Sequence, residues 1–168
     1  MDGILVEKEK EQTAKIKKDT VLFVCTGNTC RSPMCAALYN HKYAGLTSHA
    51  ESAGLRASGD AISYGAVGAL LAYGVKPSEE NDFQNHVSVS VNEEMIKNAS
   101  LVVGVSSSHA MALLTLFPSY ASKITSFSDD IPDPYGMGDE TYRACLKRID
   151  SALEKMFLKN NNDEDNNN

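Results

Sequence analysis

Between Val24 and Ser32 the chain reads VCTGNTCRS, and these residue types suit neither a packed core nor a lone metal site. Cys25 and Arg31 have the spacing C-x5-R, with Gly27 between them and Ser32-Pro33 behind. An apolar run enters this stretch and a helix start leaves it. The backbone N–H groups of residues 26–30 can therefore converge on one centre, backed by a helix N-terminus. Gly27 is expected to supply the turn. Arg31 can fold back over the same centre and grip two oxygens with its planar fork. The species that fits is a tetrahedral oxyanion. Cys25 would lie beneath it, facing the same donors. Cysteines in such fields have pKa values lowered to roughly 3.5–7.5, which makes a thiolate nucleophile aimed at phosphorus.

A leaving group expelled from phosphorus needs a proton. The segment SDDIPDPYG offers the donor: Asp133 stands between Pro132 and Pro134, which stiffen the backbone, and Tyr135 and Gly136 follow. Asp129 and Asp130 read as ordinary surface acids.

The elements that must position these groups alternate between strand and helix. Val21–Cys25 is a buried strand. Ser32 reads as an N-cap with Pro33 at the first helical position, and the helix runs to about Ala44 with Gly45 as its stop. A weaker strand covers His49–Ala53. A helix covers Ile62–Tyr73 and stops at Gly74. Asn92–Asn98 is a short helix, Leu101–Val105 a second buried strand, Ser108–Phe117 a helix, and Lys123–Phe127 another strand. A long amphipathic helix spans Asp139–Lys159, with Tyr142, Leu146, Ile149, Leu153 and Met156 on one face. The alternation predicts an α/β fold, a three-layer doubly wound sheet of four parallel strands with helices on both faces. Ligands of such sheets sit beyond the carboxyl ends of the strands, where the opening stretch lies.

The chain has 168 residues, 42% hydrophobic, enough for one domain with a real core. We place that domain at residues 20–158, between an extension at 1–19 and a low-complexity tail at 159–168 ending NNNDEDNNN. The net charge of −6, from 16 basic and 22 acidic residues, disfavours nucleic acid and anionic membranes as partners. The start of the chain has no apolar run long enough for a signal core, so a cytoplasmic location is expected. There Cys25, Cys30, Cys35 and Cys145 would be mostly reduced. C-x4-C-x4-C at Cys25, Cys30 and Cys35 lacks the tight ligand pairs of structural zinc, and no metal is expected; Cys35 reads as a small core hydrophobe.

Taken together, VCTGNTCRSP, DPYG about a hundred residues later and the strand–helix order between them resemble the low-molecular-weight protein tyrosine phosphatase family over nearly all of residues 20–158. The resemblance implies that Cys25 is the nucleophile, Arg31 binds the phosphoryl group, and Asp133 is acid and then base. Thr26, Gly27, Asn28, Thr29, Cys30 and Ser32 complete the phosphate loop. It implies no metal or organic cofactor, and phosphorylated proteins as substrates; a monomer is expected. Ser52 in AESAG and His86 in NHVS resemble the polar network that supports the loop. Cys30 resembles the family's second loop cysteine, able to form a disulfide with Cys25 on oxidation.

Within the resemblance, Thr29 bears on substrate choice. Tyrosine-directed members usually carry a branched aliphatic residue at this position, and bacterial protein arginine phosphatases carry threonine in the same CTGNTCRSP wording. Tyr135 followed by Gly136 leaves one aromatic wall where many tyrosine-directed members have two. Phosphoarginine is therefore expected over phosphotyrosine. The chain departs from the family in its acidic KPSEENDFQ segment, in Ser106 within GVSSSHA, and in the extension at 1–19. Thioredoxin-linked arsenate reductases share the loop type but need further cysteines, and none lies between Cys35 and Cys145. A non-catalytic phosphoprotein-binding module would lack Cys25 or Asp133, and both are present.

Overall fold

A computed structural model describes residues 19–45 and 48–158. Four parallel strands, β1 (Asp19–Cys25), β2 (Ser48–Gly54), β3 (Leu101–Gly104) and β4 (Ile124–Ser126), form one sheet in the order β2-β1-β3-β4. The helices are α1 (Arg31–Lys42), α2 (Tyr64–Ala72), α3 (Glu93–Asn98), α4 (Ser107–Leu116) and α5 (Asp139–Phe157). Two 3-10 turns lie at Phe83–Asn85 and Pro118–Lys123.

β1 is apolar on both sides because both of its faces are covered. Phe23 and Cys25 face the core built with α1, α2 and α5, while Leu22 and Val24 face α3 and α4. The expected three-layer α/β architecture is therefore present. α5 buries Tyr142, Leu146, Ile149 and Leu153 along one stripe, with Met156 packed at its margin. Full burial of each aliphatic side chain contributes about 1.5–3 kcal/mol. β1 lies at the point where the strand order reverses, so its carboxyl end opens into a crevice.

Several boundaries move. Asp19, assigned from sequence to the extension, opens β1; the remainder of that extension and the tail at 159–168 lie outside the described residues. α1 begins at Arg31, with Cys30 rather than Ser32 at the N-cap. Ser32 is turned inward toward Cys25 and Asn28, and so is not free to cap. Pro33 remains tolerable because no N–H is required in a helix's first turn. α2 starts two residues later than expected, since Ser63 caps it by accepting the Ala66 N–H at 3.3 Å. β4 contracts because Lys123 belongs to the preceding 3-10 turn.

Asp150 ties three helices together. Its carboxylate accepts the Tyr43 hydroxyl at 2.6 Å, the Lys42 ammonium at 3.0 and 3.1 Å, and the Tyr73 hydroxyl. The ends of α1 and α2 are thus fastened to α5. Burial pushes the Asp150 carboxyl up, but the hydrogen bonds from Tyr43, Tyr73 and Lys42 outweigh it and hold it below its ordinary value. The bond to Asp150 and burial push the Tyr73 phenol up to about 12.

Asp150→Ala should destabilise the fold by about 2–4 kcal/mol at pH 7. Because the folded carboxyl titrates below the unfolded one, its contribution is complete above the unfolded value of about 3.9 and is lost as pH falls through the depressed folded value. Urea unfolding of both proteins at neutral and strongly acidic pH checks this. A deficit of equal size at both would contradict the assignment.

Candidate active site

The chain leaving β1 bends through residues 26–30 and enters α1, with its concave side on a cleft of about 940 Å³. The tightest point is Asn28. It is fully buried and takes φ +58°, the only positive φ of a non-glycine residue among those described. Asparagine tolerates this region where its side chain finds local partners. The turn expected of Gly27 is made by Asn28 instead: Gly27 keeps an ordinary φ, and a side chain there would meet only Thr29 Oγ1, at 3.9 Å.

Every polar group of Asn28 is bonded. Its N–H donates to Cys25 Sγ at 3.3 Å. Nδ2 donates to Ser32 Oγ at 2.8 Å and Ser52 Oγ at 3.0 Å, Oδ1 accepts the Val89 N–H at 3.0 Å, and the carbonyl accepts His86 Nε2–H at 2.9 Å. Ser52 and His86 thus both bond to Asn28. Burial lowers the His86 pKa and its bond to the Asn28 carbonyl opposes the shift, so the ring is neutral at pH 7. Gly54 closes the underside: a Cβ there would lie 2.7 Å from the Thr26 carbonyl oxygen and 3.0 Å from Asn28 Cβ.

Cys25 lines the cleft, with its Sγ 3.0 Å from Ser32 Oγ. Arg31 is nearly buried. One guanidinium nitrogen donates to the Ile131 carbonyl at 3.2 Å, and the other lies 3.6 Å from Asp133 Oδ2. Asp133 is half exposed and its Oδ1 accepts the Tyr135 N–H at 3.1 Å. The structure therefore brings Cys25, Arg31 and Asp133 to one cleft, together with Thr26, Gly27, Asn28, Thr29, Cys30 and Tyr135.

Several residues were not singled out from the sequence. His109, on the first turn of α4, links to Thr26 Oγ1 at 3.0 Å and to the Ser106 N–H at 3.1 Å. Asp130, read as an idle surface acid, accepts the Ser107 N–H at 2.8 Å and its hydroxyl at 3.2 Å, fastening the Asp133 segment to α4. Cys30 meets Ser63 Oγ and the Tyr142 hydroxyl, each at 3.3 Å. Burial and the Cys30 contact push the Tyr142 phenol up to about 12. Tyr64, almost fully exposed, supplies a second aromatic beside the cleft where one, Tyr135, was expected. Arg56, Asp60 and Gln84 also line it. Only the capping pattern S-x-x-H at Ser106–His109 could have been seen in one sequence; the others depend on how distant segments meet.

Cys35 is sealed in the core, and burial raises its thiol well above its ordinary value. Cys145, on α5, is pushed up to about 12 by burial. No three His, Cys, Asp or Glu side chains converge as a ligand set among the described residues.

The family described as low molecular weight phosphotyrosine protein phosphatase matches residues 20–166. The chain belongs to this family. It is 32% identical over 147 residues to a Bacillus subtilis protein-arginine-phosphatase, covering 81% of this chain and 93% of that one. It is 29% identical over 150 residues to a Streptomyces coelicolor low molecular weight protein-tyrosine-phosphatase, covering 79% and 87%. A crystal structure of a low molecular weight protein tyrosine phosphatase from T. tengcongensis superposes with a TM-score of 0.76 at 37% identity, covering 84% of this chain and 99% of that one. The chain is thus a low-molecular-weight protein phosphatase in family, with relatives named for arginine and for tyrosine.

Asn28→Ala should cost at least about 2 kcal/mol through the side-chain bonds it removes, with a much larger fall in turnover than in stability. Asn28→Gly relieves the backbone conformation, worth about 1 kcal/mol, without restoring those bonds. It should recover part of the stability and little of the turnover. Thermal melts and initial rates on an aryl phosphate decide this; full activity in the glycine variant would show that only the backbone matters.

Proposed function

We propose that this phosphatase hydrolyses phosphorylated protein side chains through a phosphocysteine on Cys25. The convergence of Cys25, Arg31 and Asp133 on one cleft at the carboxyl end of β1 carries the reading. The phosphoryl oxygens take the face of Arg31 that Asp133 now neighbours, which frees the carboxyl to reach the leaving atom. Cys25 Sγ attacks phosphorus, the S–P bond forms, and the bond to the side chain breaks as Asp133 gives it a proton. Asp133 then takes a proton from water, whose oxygen attacks phosphorus. The S–P bond breaks and phosphate leaves. The loop N–H groups and Arg31 face the charge that builds on the equatorial oxygens.

For the side chain we favour phosphoarginine. Thr29 lines the cleft with a hydroxyl that can accept from a guanidinium N–H, and the carboxylates of Asp133 and Asp60 line it too. The B. subtilis relative bears the name of an arginine phosphatase. Phosphotyrosine is the second reading, favoured by Tyr64 and Tyr135 on the cleft, which could flank a phenyl ring. The site is complete within one chain, which suits a monomer. The four free, buried cysteines suit the reducing cytoplasm, and no helix among the described residues is long and apolar enough to cross a membrane. We further infer that peroxide converts Cys25 to a sulfenic acid, from which the Cys30 thiol displaces water to give a reversible Cys25–Cys30 disulfide.

Turnover of phosphoarginine and phosphotyrosine peptides side by side tests the assignment. The wild type should prefer phosphoarginine. Thr29→Ile should cut that activity strongly and raise phosphotyrosine activity less, since losing a substrate-directed hydrogen bond discriminates more than about 1–3 kcal/mol, the scale of an added methylene. A wild type that prefers phosphotyrosine and is indifferent to Thr29→Ile would overturn the arginine assignment and leave the phosphatase reading intact. Asp133→Ala should slow substrates with poor leaving groups most and an activated aryl phosphate least. Equal losses would remove Asp133 from the acid role.

A further inference from the structure

His109 has no role in the steps above, yet it is nearly buried, joins the residue after Cys25 to α4, and belongs to neither loop. Its two ring nitrogens have different partners, and one partner fixes the proton. The Ser106 backbone N–H can only donate, so the Nδ1 it reaches at 3.1 Å must be bare. In the neutral ring the proton is then on Nε2. Nε2 lies 3.0 Å from Thr26 Oγ1 and donates to it. Thr26 Oγ1 therefore acts as an acceptor toward His109, and its own hydroxyl proton is left over. Thr26 lines the cleft and is exposed there.

We propose that His109 is a positioning residue that turns the Thr26 hydroxyl into an added hydrogen-bond donor for the phosphoryl oxygens of the substrate. The proposal rests on the phosphatase reading of the cleft. With Nε2–H occupying the Thr26 oxygen, the remaining O–H rotates toward the open side, where the oxyanion binds. The bare Nδ1 also satisfies the Ser106 N–H, and the Ser106 hydroxyl donates to the Ile131 carbonyl at 3.4 Å, the same carbonyl that anchors Arg31 at 3.2 Å. One imidazole thus sets the donor beside the nucleophile and steadies the strand of chain that holds Arg31.

Protonation would undo this arrangement. An imidazolium carries a proton on both nitrogens, so Nδ1–H would confront the Ser106 N–H. Burial and the Arg31 guanidinium lower the His109 pKa, while Asp130 and Asp133, on the segment facing it, oppose the shift. The ring is neutral through the physiological range and charges only at a pH below its ordinary value of about 6.5. Turnover then acquires an acid-side loss that belongs to His109.

Two independent measurements test this on the full chain. Long-range proton–nitrogen correlation spectra should show His109 as the Nε2–H tautomer at pH 7, titrating below 6.5. An Nδ1–H tautomer would overturn the proposal whatever the enzyme's substrate. The second is a double-mutant cycle read by turnover of an aryl phosphate. Thr26→Val and His109→Ala should each lower kcat about tenfold with little change in KM, and the double variant should be no worse than Thr26→Val. Thr26→Ser, which keeps the hydroxyl, should stay within about twofold of wild type. His109→Gln, whose amide can accept from Ser106 and donate to Thr26, should recover most of the loss in His109→Ala and abolish the His109 step in the pH profile. Multiplied losses in the double variant, or full activity in Thr26→Val, would overturn the proposal. If His109→Ala does not fold, Thr26→Val against Thr26→Ser still decides it. A wild type that turns over no phosphorylated substrate would defeat the phosphatase reading, and the tautomer measurement keeps that failure separate from this one.

Discussion

Asn28 is the constraint on which the rest of the site depends. A buried asparagine in the left-handed region is disfavoured locally, and it persists only because the surroundings over-determine it. Ser32, Ser52, Val89, His86 and Cys25 each bond to one of its polar atoms, and they come from four separate places along the chain. Removing any one leaves a buried donor or acceptor without a partner, which costs more than the bond is worth when formed. The network therefore acts as a unit: β1, α1, β2 and the segment after His86 are all fastened to one side chain. Its effect is to fix the chain that curls around Cys25 Sγ before any ligand arrives, which is what electrostatic preorganisation requires.

The opposite side of the cleft leans on a second set of contacts. The Ile131 carbonyl receives Arg31 and Ser106, Asp130 is tied to the start of α4, and the Cys145 thiol reaches the Pro132 carbonyl at 3.8 Å. The tip that bears Asp133 and Tyr135 is held less closely, since Asp133 is half exposed and Tyr135 mostly so. A rigid floor beneath a more yielding rim would suit the acid role proposed for Asp133. Gly104 allows this side to come close, because a Cβ there would lie 2.6 Å from the Ala110 nitrogen.

The parts legible in the sequence were those governed by local rules. The apolar run of β1, the C-x5-R spacing and the alternation of elements required only near neighbours, and the parallel α/β class follows from the alternation. Ser52 and His86, named from the resemblance, both bond to Asn28. What failed was local reasoning applied to residues that serve a distant partner. Gly27 has the freedom to turn but no need to, because Asn28 has the side-chain bonds that make its conformation pay. Ser32 has the chemistry of an N-cap and spends it on Cys25 and Asn28 instead. Asp130, Tyr64, Asp150 and the bond from His109 to Thr26 were invisible for the same reason: each acts across more than twenty residues, or lines a wall that exists only once the segments have met.

The central claim is that this fixed loop presents Cys25 sulfur to phosphorus. The most direct measurement is a rapid acid quench during turnover, followed by peptide mapping of the protein under conditions that preserve an S–P bond. The account predicts one phosphoryl group on the peptide containing Cys25, held through an S–P bond, accumulating when Asp133→Ala supplied with an activated aryl phosphate slows its hydrolysis; Cys25→Ser should contain no S–P bond. Turnover that proceeds at full rate in Cys25→Ser, or a phosphoryl group found in the wild type on a residue other than Cys25, would contradict it.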